Sequence, residues 1–119
     1  MRTLSIATLT ALSTISTAPM AQEAVRFDRP IFSIEGAALC PRQAQVTTIR
    51  RAIEANDQVA ADRAIAASCK VIGPDIPLTV VARPGLYDPD VEVRAAAAVG
   101  TDPALPRGPR WTLKSMVRN

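Results

Sequence analysis

The amino-acid sequence predicts an α+β fold in which a disulfide-clasped helical hairpin precedes a small antiparallel β-sheet. The two cysteines stand at positions 40 and 69, and the segment between them has helical periodicity. After Cys69 the chain changes to short segments with apolar alternation, punctuated by proline and glycine. We therefore expect residues 40–119 to form a single small domain, with the helical hairpin in 40–69 and the β-rich part in 70–119.

Residues 1–21 are predicted to be a signal peptide. Arg2 is followed by an apolar stretch without further charge and then by small residues up to Ala21. The apolar stretch is shorter than the roughly 18 to 20 residues of a membrane span, which favours cleavage over a permanent anchor. We expect cleavage after Ala21, with Ala24 as the alternative. Residues 22–39 would then be an extended N-terminal segment ahead of the domain.

The size of the mature chain predicts a need for covalent support. Without residues 1–21, 13 Lys and Arg side chains face 11 Asp and Glu over 98 residues, which leaves a net charge of +2. A chain of this length buries only about 60 to 65% of its unfolded surface, and one Trp, one Tyr and two Phe supply few large core residues. Disulfides persist in oxidising compartments, so an export signal with paired cysteines predicts a periplasmic or secreted protein.

The first helix is predicted to follow Cys40 directly. Pro41 suits the first helical position. Apolar residues recur at intervals of three and four, with charged residues on the other side. The residues expected on the buried face are Val46, Ile49, Ala52 and Ile53.

The second helix is predicted from Gln58 to Ser68, after Asn56 and Asp57 end the first helix and cap the second. Two antiparallel helices would bring Cys40 beside Cys69. The sequence therefore predicts an intramolecular disulfide that clasps the hairpin. This is favoured over a redox-active pair, which would normally have the close spacing of a C-x-x-C motif.

The segment 76–83 alternates apolar and other residues between Gly-Pro and Pro-Gly boundaries and is predicted to be a strand. The segment 91–99 is more ambiguous. Val91 and Val93 alternate with charged residues, which predicts a strand. A helix is the alternative, because Asp90 could cap it and the following alanines are good helix formers.

Two resemblances follow from these segments. The order Leu78-Thr79-Val80-Val81, Val91-Glu92-Val93-Arg94 and Trp111-Thr112-Leu113 resembles the short strands of bacterial SH3-like domains, which are common in small exported proteins. It covers the last 50 residues. The Asn-Val-Arg-x-Gly-Pro signature of the cell-wall-targeting members is absent, so glycan binding is not implied. The segment 88–97 also resembles the first helix of a HEAT-type repeat, but no further copies follow.

The residue types argue against catalysis. The chain has no histidine, which is the commonest general base and zinc ligand. Asp88, Asp90 and Glu92 have the alternate spacing that begins a calcium loop, but the glycine and the distant bidentate glutamate are missing. Turn and capping roles are therefore favoured for these three. We expect a non-catalytic protein with no catalytic residue, no cofactor and no metal.

The C-terminal tail is the one polarised feature of the sequence. From residue 103 to the end it carries four cations and no acidic side chain. Arg107, Arg110, Trp111 and Lys114 are therefore the candidate partner contacts. The partner would be a protein or an anionic envelope component, with nucleic acid less favoured. The alternative for Trp111 is a core position flanked by solvated cations, which we favour because large core residues are scarce.

Together these observations predict a small exported non-catalytic binding protein of the bacterial cell envelope. The alternatives are a structural accessory component of an envelope or secretion assembly, and a small inhibitor of an enzyme. The sequence identifies no ligand.

Overall fold

The computed structural model describes residues 24–95 and 105–119, and it has the predicted α+β fold. The predicted signal peptide and residues 96–104 lie outside the described residues. In chain order the elements are β1 (Ile31–Ser33), β2 (Ala37–Leu39), α1 (Gln43–Glu54), α2 (Gln58–Ser68), β3 (Lys70–Ile72), β4 (Pro77–Ala82), β5 (Asp90–Ala95), β6 (Arg110–Leu113), a 3-10 turn (Lys114–Met116) and β7 (Val117–Arg118).

A five-stranded antiparallel sheet has the order β6-β5-β4-β1-β7. The chain leaves β6 at one edge and reaches β7 at the other edge through the 3-10 turn. Strands β2 and β3 form a separate antiparallel pair. An isolated bridge joins this pair to the larger sheet, with Cys40 and Trp111 exchanging backbone hydrogen bonds of 2.8 and 2.7 Å. The two sheets are thereby held together beside the base of the helical hairpin.

The segment 22–39 contains β1 and β2, two strands that the sequence did not reveal. Ile31 and all three residues of β2 are buried, so both strands contribute to the core. The main cluster combines them with buried residues of β3, β4, β5 and β7, namely Ile72, Leu78, Val91, Val93 and Val117.

Helix α1 begins two residues later than predicted. Arg42 is in an extended conformation ahead of Gln43, and its backbone N–H donates to the side chain of Gln45 at 3.0 Å. Pro41 therefore precedes the cap and is not the first helical residue. The reason is the bridge at Cys40, which keeps the chain extended as it leaves β2.

The buried face of α1 is shorter than its periodicity predicts. Val46 and Ile49 are fully buried against Leu113, which confirms the first part of the pattern. Ile53 is 45% exposed, so its predicted burial is wrong. The main contacts of α1 with the sheet are with β6 and β5, and the far end of the helix extends past the cluster that buries Val46 and Ile49.

Helix α2 has the predicted bounds, Gln58–Ser68. Asn56 adopts a left-handed backbone conformation with φ of 56°, which ends the first helix. The side chain of Asp57 then accepts a hydrogen bond from the backbone of Ala60 at 3.0 Å and caps the second. Ala61 is the buried residue of α2, and the two helices pack against each other.

The predicted disulfide between Cys40 and Cys69 is present and closes the hairpin at its base. Cys40 is fully buried, and Cys69 packs in the same cluster at the end of α2. The clasp therefore links the end of β2 to the start of β3 as well as one helix to the other.

The ambiguous segment after Asp90 is a strand as far as Ala95, which is the last described residue before 105. Val91 and Val93 are buried, and the strand pairs with β4 on one side and β6 on the other. For residues 91–95, pairing on both sides outweighs the helix alternative. The rest of the predicted strand, residues 96–99, lies outside the described residues.

Candidate functional site

The four residues of the predicted tail site have different surroundings. Arg107 is exposed in the segment before β6, and Arg110 begins β6 with its guanidinium donating to the carbonyl of Pro109 at 2.8 Å. Trp111 is partly buried and packs against the cluster beneath the helical hairpin. Lys114 lies in the 3-10 turn and lines a groove that none of the other three residues lines.

This groove, of about 480 Å³, is the best candidate for a functional site. Three stretches that are distant in sequence line it: residues 24–28 ahead of β1, residues 83–86 after β4, and residues 114–115 in the 3-10 turn. Phe27 and Pro84 provide apolar surface, while Arg83 and Lys114 provide charge. The groove thus offers apolar and cationic surface side by side.

Two of its walls are connected through Lys114. The ammonium group of Lys114 donates to the carbonyl of Gly85 at 2.7 Å and lies 5.7 Å from the centre of the Phe27 ring. The backbone N–H of Lys114 also donates to the carbonyl of Pro89 at 2.9 Å. One side chain therefore holds the loop after β4 beside the segment ahead of β1.

The acidic group in the groove is already paired. Asp28 accepts hydrogen bonds from the Arg26 guanidinium at 3.2 and 2.8 Å. The hydrogen bond from Arg26 lowers the pKa of Asp28, and the same pair raises the pKa of Arg26. In the part of the chain that the structure describes, neither Arg83 nor Lys114 forms an ion pair with an acidic side chain. The unbalanced charge of the groove is therefore positive.

A second, more polar hollow of about 550 Å³ adjoins the groove and shares residues 24–26 with it. Arg29 and Arg118 line it. Arg118 pairs with Asp75 and lies 5.3 Å from the centre of the Phe32 ring. We call the five cations around these two concavities the basic face: Arg26, Arg29, Arg83, Lys114 and Arg118.

One rim of the groove is a tight turn formed by residues 85–88. The backbone N–H of Gly85 donates to the Asp88 carboxylate at 2.8 Å, and the N–H of Asp88 donates to the Gly85 carbonyl at 3.1 Å. Between them, Leu86 and Tyr87 are 85% and 92% exposed. This site was not predicted from the sequence. The signal that could have found it is the pair of large apolar residues between a glycine and an aspartate in a predicted turn.

The three alternating acids do not converge on one point. Asp88 caps the turn, whereas Asp90 is buried and accepts from the Gln43 amide at 3.1 and 3.3 Å. Glu92 lies within β5, opposite Trp111. Among residues 24–95 and 105–119, no group of three or more His, Cys, Asp or Glu side chains is placed to hold a metal ion.

Ser33 carries a fully buried hydroxyl group that has a structural role. It donates to the Gly73 carbonyl at 2.6 Å and accepts from the backbone of Ile76 at 3.0 Å. These bonds fix the turn between β3 and β4.

Neither helix in the described ranges is long and apolar enough to cross a membrane. In comparisons with protein families, curated proteins and solved structures, no match to this chain was found.

Proposed function

We propose that this protein is a small exported non-catalytic binding protein of the bacterial cell envelope, and that its basic face binds an anionic partner. The observation that carries the proposal is the groove between residues 24–28, 83–86 and 114–115, in which apolar surface adjoins unbalanced positive charge. Such a combination suits recognition of a defined partner better than a uniformly charged surface does.

The location rests on two features. The Cys40–Cys69 disulfide is typical of proteins that fold in an oxidising compartment. Residues 1–21 have the composition of an export signal. Mass spectrometry of the exported chain is expected to find a mature protein that starts at Gln22.

The SH3-like resemblance belongs to the same proposal. The three strands that carry it are adjacent and antiparallel, in the order β4, β5 and β6. The first strand, β1, lies between β4 and the last strand, β7. We propose that the helical hairpin is an insertion between β2 and β3 of an SH3-like module.

The test is affinity capture of envelope components by the tagged mature chain. A variant with Arg29→Glu and Arg83→Glu reverses two exposed charges of the basic face. A matched control carries Arg51→Glu and Arg63→Glu, which are exposed on the helices. Both change the net charge equally, so non-specific electrostatics affect them alike.

We expect the wild type and the helix control to retain an envelope component that the basic-face variant loses. Equal retention by both variants, or no retention by the wild type, would contradict the proposal. If the captured material is a large complex that also needs the exposed Ile53 and Val59 near the tip of the hairpin, the accessory-component alternative gains support.

A further inference from the structure

Leu86 and Tyr87 are exposed although their segment is well ordered by hydrogen bonds. The turn that carries them is closed by two hydrogen bonds between Gly85 and Asp88, of 2.8 and 3.1 Å. The Lys114 ammonium group braces it from outside through the Gly85 carbonyl. Exposed apolar residues are common singly, but an adjacent pair at the tip of a braced turn is a feature of interaction surfaces.

The hydrogen bonds that brace the turn lower the entropic cost of binding a partner. A partner that contacts Leu86 and Tyr87 does not have to order the backbone of this turn, so less of the interaction energy is lost as conformational entropy. Tyrosine is also enriched among the residues that dominate interface energetics. The turn is therefore prepared to act as an anchor.

The groove next to the turn defines what the anchor binds. Its volume of about 480 Å³ lies in the range of about 300 to 1,000 Å³ typical of sites for small ligands and short segments. Phe27 and Pro84 form apolar surface in the groove. Leu86, which belongs to the turn, also lines the groove. Arg83 and Lys114 lie among these apolar residues and offer donors to carboxylates.

We propose, on the basis of the proposed function, that the turn and the groove together bind an extended acidic and apolar segment of a partner protein. Apolar side chains of the segment pack against Phe27, Pro84 and Leu86, and Tyr87 covers them from the rim. Carboxylates of the segment bind Arg83 and Lys114. A segment that carries both residue types can satisfy both surfaces, because the apolar and cationic residues lie side by side in one groove.

The charge pattern favours this partner over a membrane surface or a polyanion. A polyanion would need only the cations and would gain nothing from the apolar lining of the groove. A membrane surface would contact the protruding Leu86 and Tyr87 together with the cations, but it would leave the concave lining of the groove unoccupied. Arg26 is moreover engaged by Asp28 inside the groove, so the available charge is concentrated near the apolar surface.

The test uses a randomised dodecapeptide display library selected on the mature disulfide-bonded chain. We expect the enriched peptides to combine Asp or Glu with Leu, Phe, Ile or Val. A synthetic copy of the most enriched peptide, labelled with a fluorophore, then serves as the probe for anisotropy titrations. Replacing its acidic residues with Asn and Gln is expected to weaken binding about tenfold, as expected for loss of charged hydrogen-bond partners.

Four variants locate the binding surface. Leu86→Ala and Tyr87→Ala should each weaken the peptide at least about fivefold, the loss that marks an important interface residue. Val59→Ala removes an apolar side chain that is 67% exposed on α2 and should leave the affinity unchanged. Gly85→Ala keeps both anchors but places a Cβ 2.8 Å from the Asp88 carboxylate, so it should weaken binding by loosening the turn.

Several outcomes would overturn the inference. These are a library without enrichment, enriched peptides without acidic residues, and an affinity insensitive to Leu86→Ala and Tyr87→Ala. Equal binding to phosphatidylglycerol vesicles or polyphosphate, competing with the peptide, would assign the site to an anionic surface instead. If capture of the envelope component still depends on the basic face, but Leu86→Ala and Tyr87→Ala capture it normally, the inference fails and the proposed function stands. Failure of the wild type to capture any envelope component would refute the proposed function itself.

Discussion

Removing the disulfide should cost this protein a large part of its stability. The two cysteines are 29 positions apart, and releasing a loop of that length returns about 3 to 4 kcal/mol of chain entropy to the unfolded state. Replacing both cysteines with alanine also removes buried sulfur, since Cys40 is fully enclosed. That loss adds roughly 1 kcal/mol, giving about 4 to 5 kcal/mol in total, against the 5 to 15 kcal/mol of a typical domain.

The assay is urea denaturation followed by far-ultraviolet circular dichroism. With a slope of about 1 to 1.5 kcal/mol/M for a chain of this size, the midpoint should fall by about 3 to 5 M. The wild type in the presence of a reductant is the matched control, because it keeps both sulfurs and loses only the cross-link. We expect it to lie between the oxidised wild type and the alanine variant.

A fall of less than about 0.5 M in the reduced protein would refute the reasoning, since it would mean that the loop closed by Cys40 and Cys69 contributes little entropy. Hydrogen exchange adds a spatial check. Protection in Gln43–Glu54 and Gln58–Ser68 should fall on reduction at least as much as protection in the sheet.

Three further predictions concern single side chains. Ser33→Ala should destabilise the protein by about 1 to 3 kcal/mol, because it leaves the Gly73 carbonyl and the Ile76 N–H without their partner; an unchanged melting temperature would contradict this. Trp111→Ala should lower the free energy of unfolding by about 2 to 3 kcal/mol, less than the 3 to 5 kcal/mol of a fully buried Trp. The fluorescence of Trp111 should be partly quenched by acrylamide. Free quenching together with no loss of stability would make Trp111 a contact residue. The pKa of Asp28, measured by carboxyl NMR, should lie below 3.8 and return towards it in Arg26→Gln. The pair then stabilises the fold above the ordinary pKa of Asp28, and this contribution disappears as pH falls through the lowered value. An unchanged Asp28 titration in Arg26→Gln would be the contrary result.

The helical part was predictable because its signals are local. Asp57 as a cap is visible in a few residues of sequence, and two antiparallel helices place their distant ends side by side. Besides the start of α1, the wrong detail was Ile53, whose periodicity matched the buried face although the end of α1 extends past its supporting cluster. Periodicity describes a face, but only tertiary contacts determine how far along the helix that face is covered.

The short strands could not be predicted for the opposite reason. Ile31–Ser33 and Ala37–Leu39 have three residues each, too few to establish an alternating pattern, and β2 is buried on all three. Their strand identity comes from partners that lie far along the chain, such as Leu78 and Ile72. The same holds for the groove, whose walls come from three separate stretches of sequence. The tail prediction therefore included Lys114 but none of its neighbours in the groove.

The position of the clasp has a mechanical consequence for the molecule. A pulling force applied to the chain on either side of the helical hairpin passes from Cys40 to Cys69 through the sulfur bridge, and not through the helices. At roughly 3.5 Å per extended residue, the bridge withholds about 100 Å of chain from extension. The hairpin would stay unloaded while the strands around it separate, so reduction of one bond would change how far the protein can be stretched.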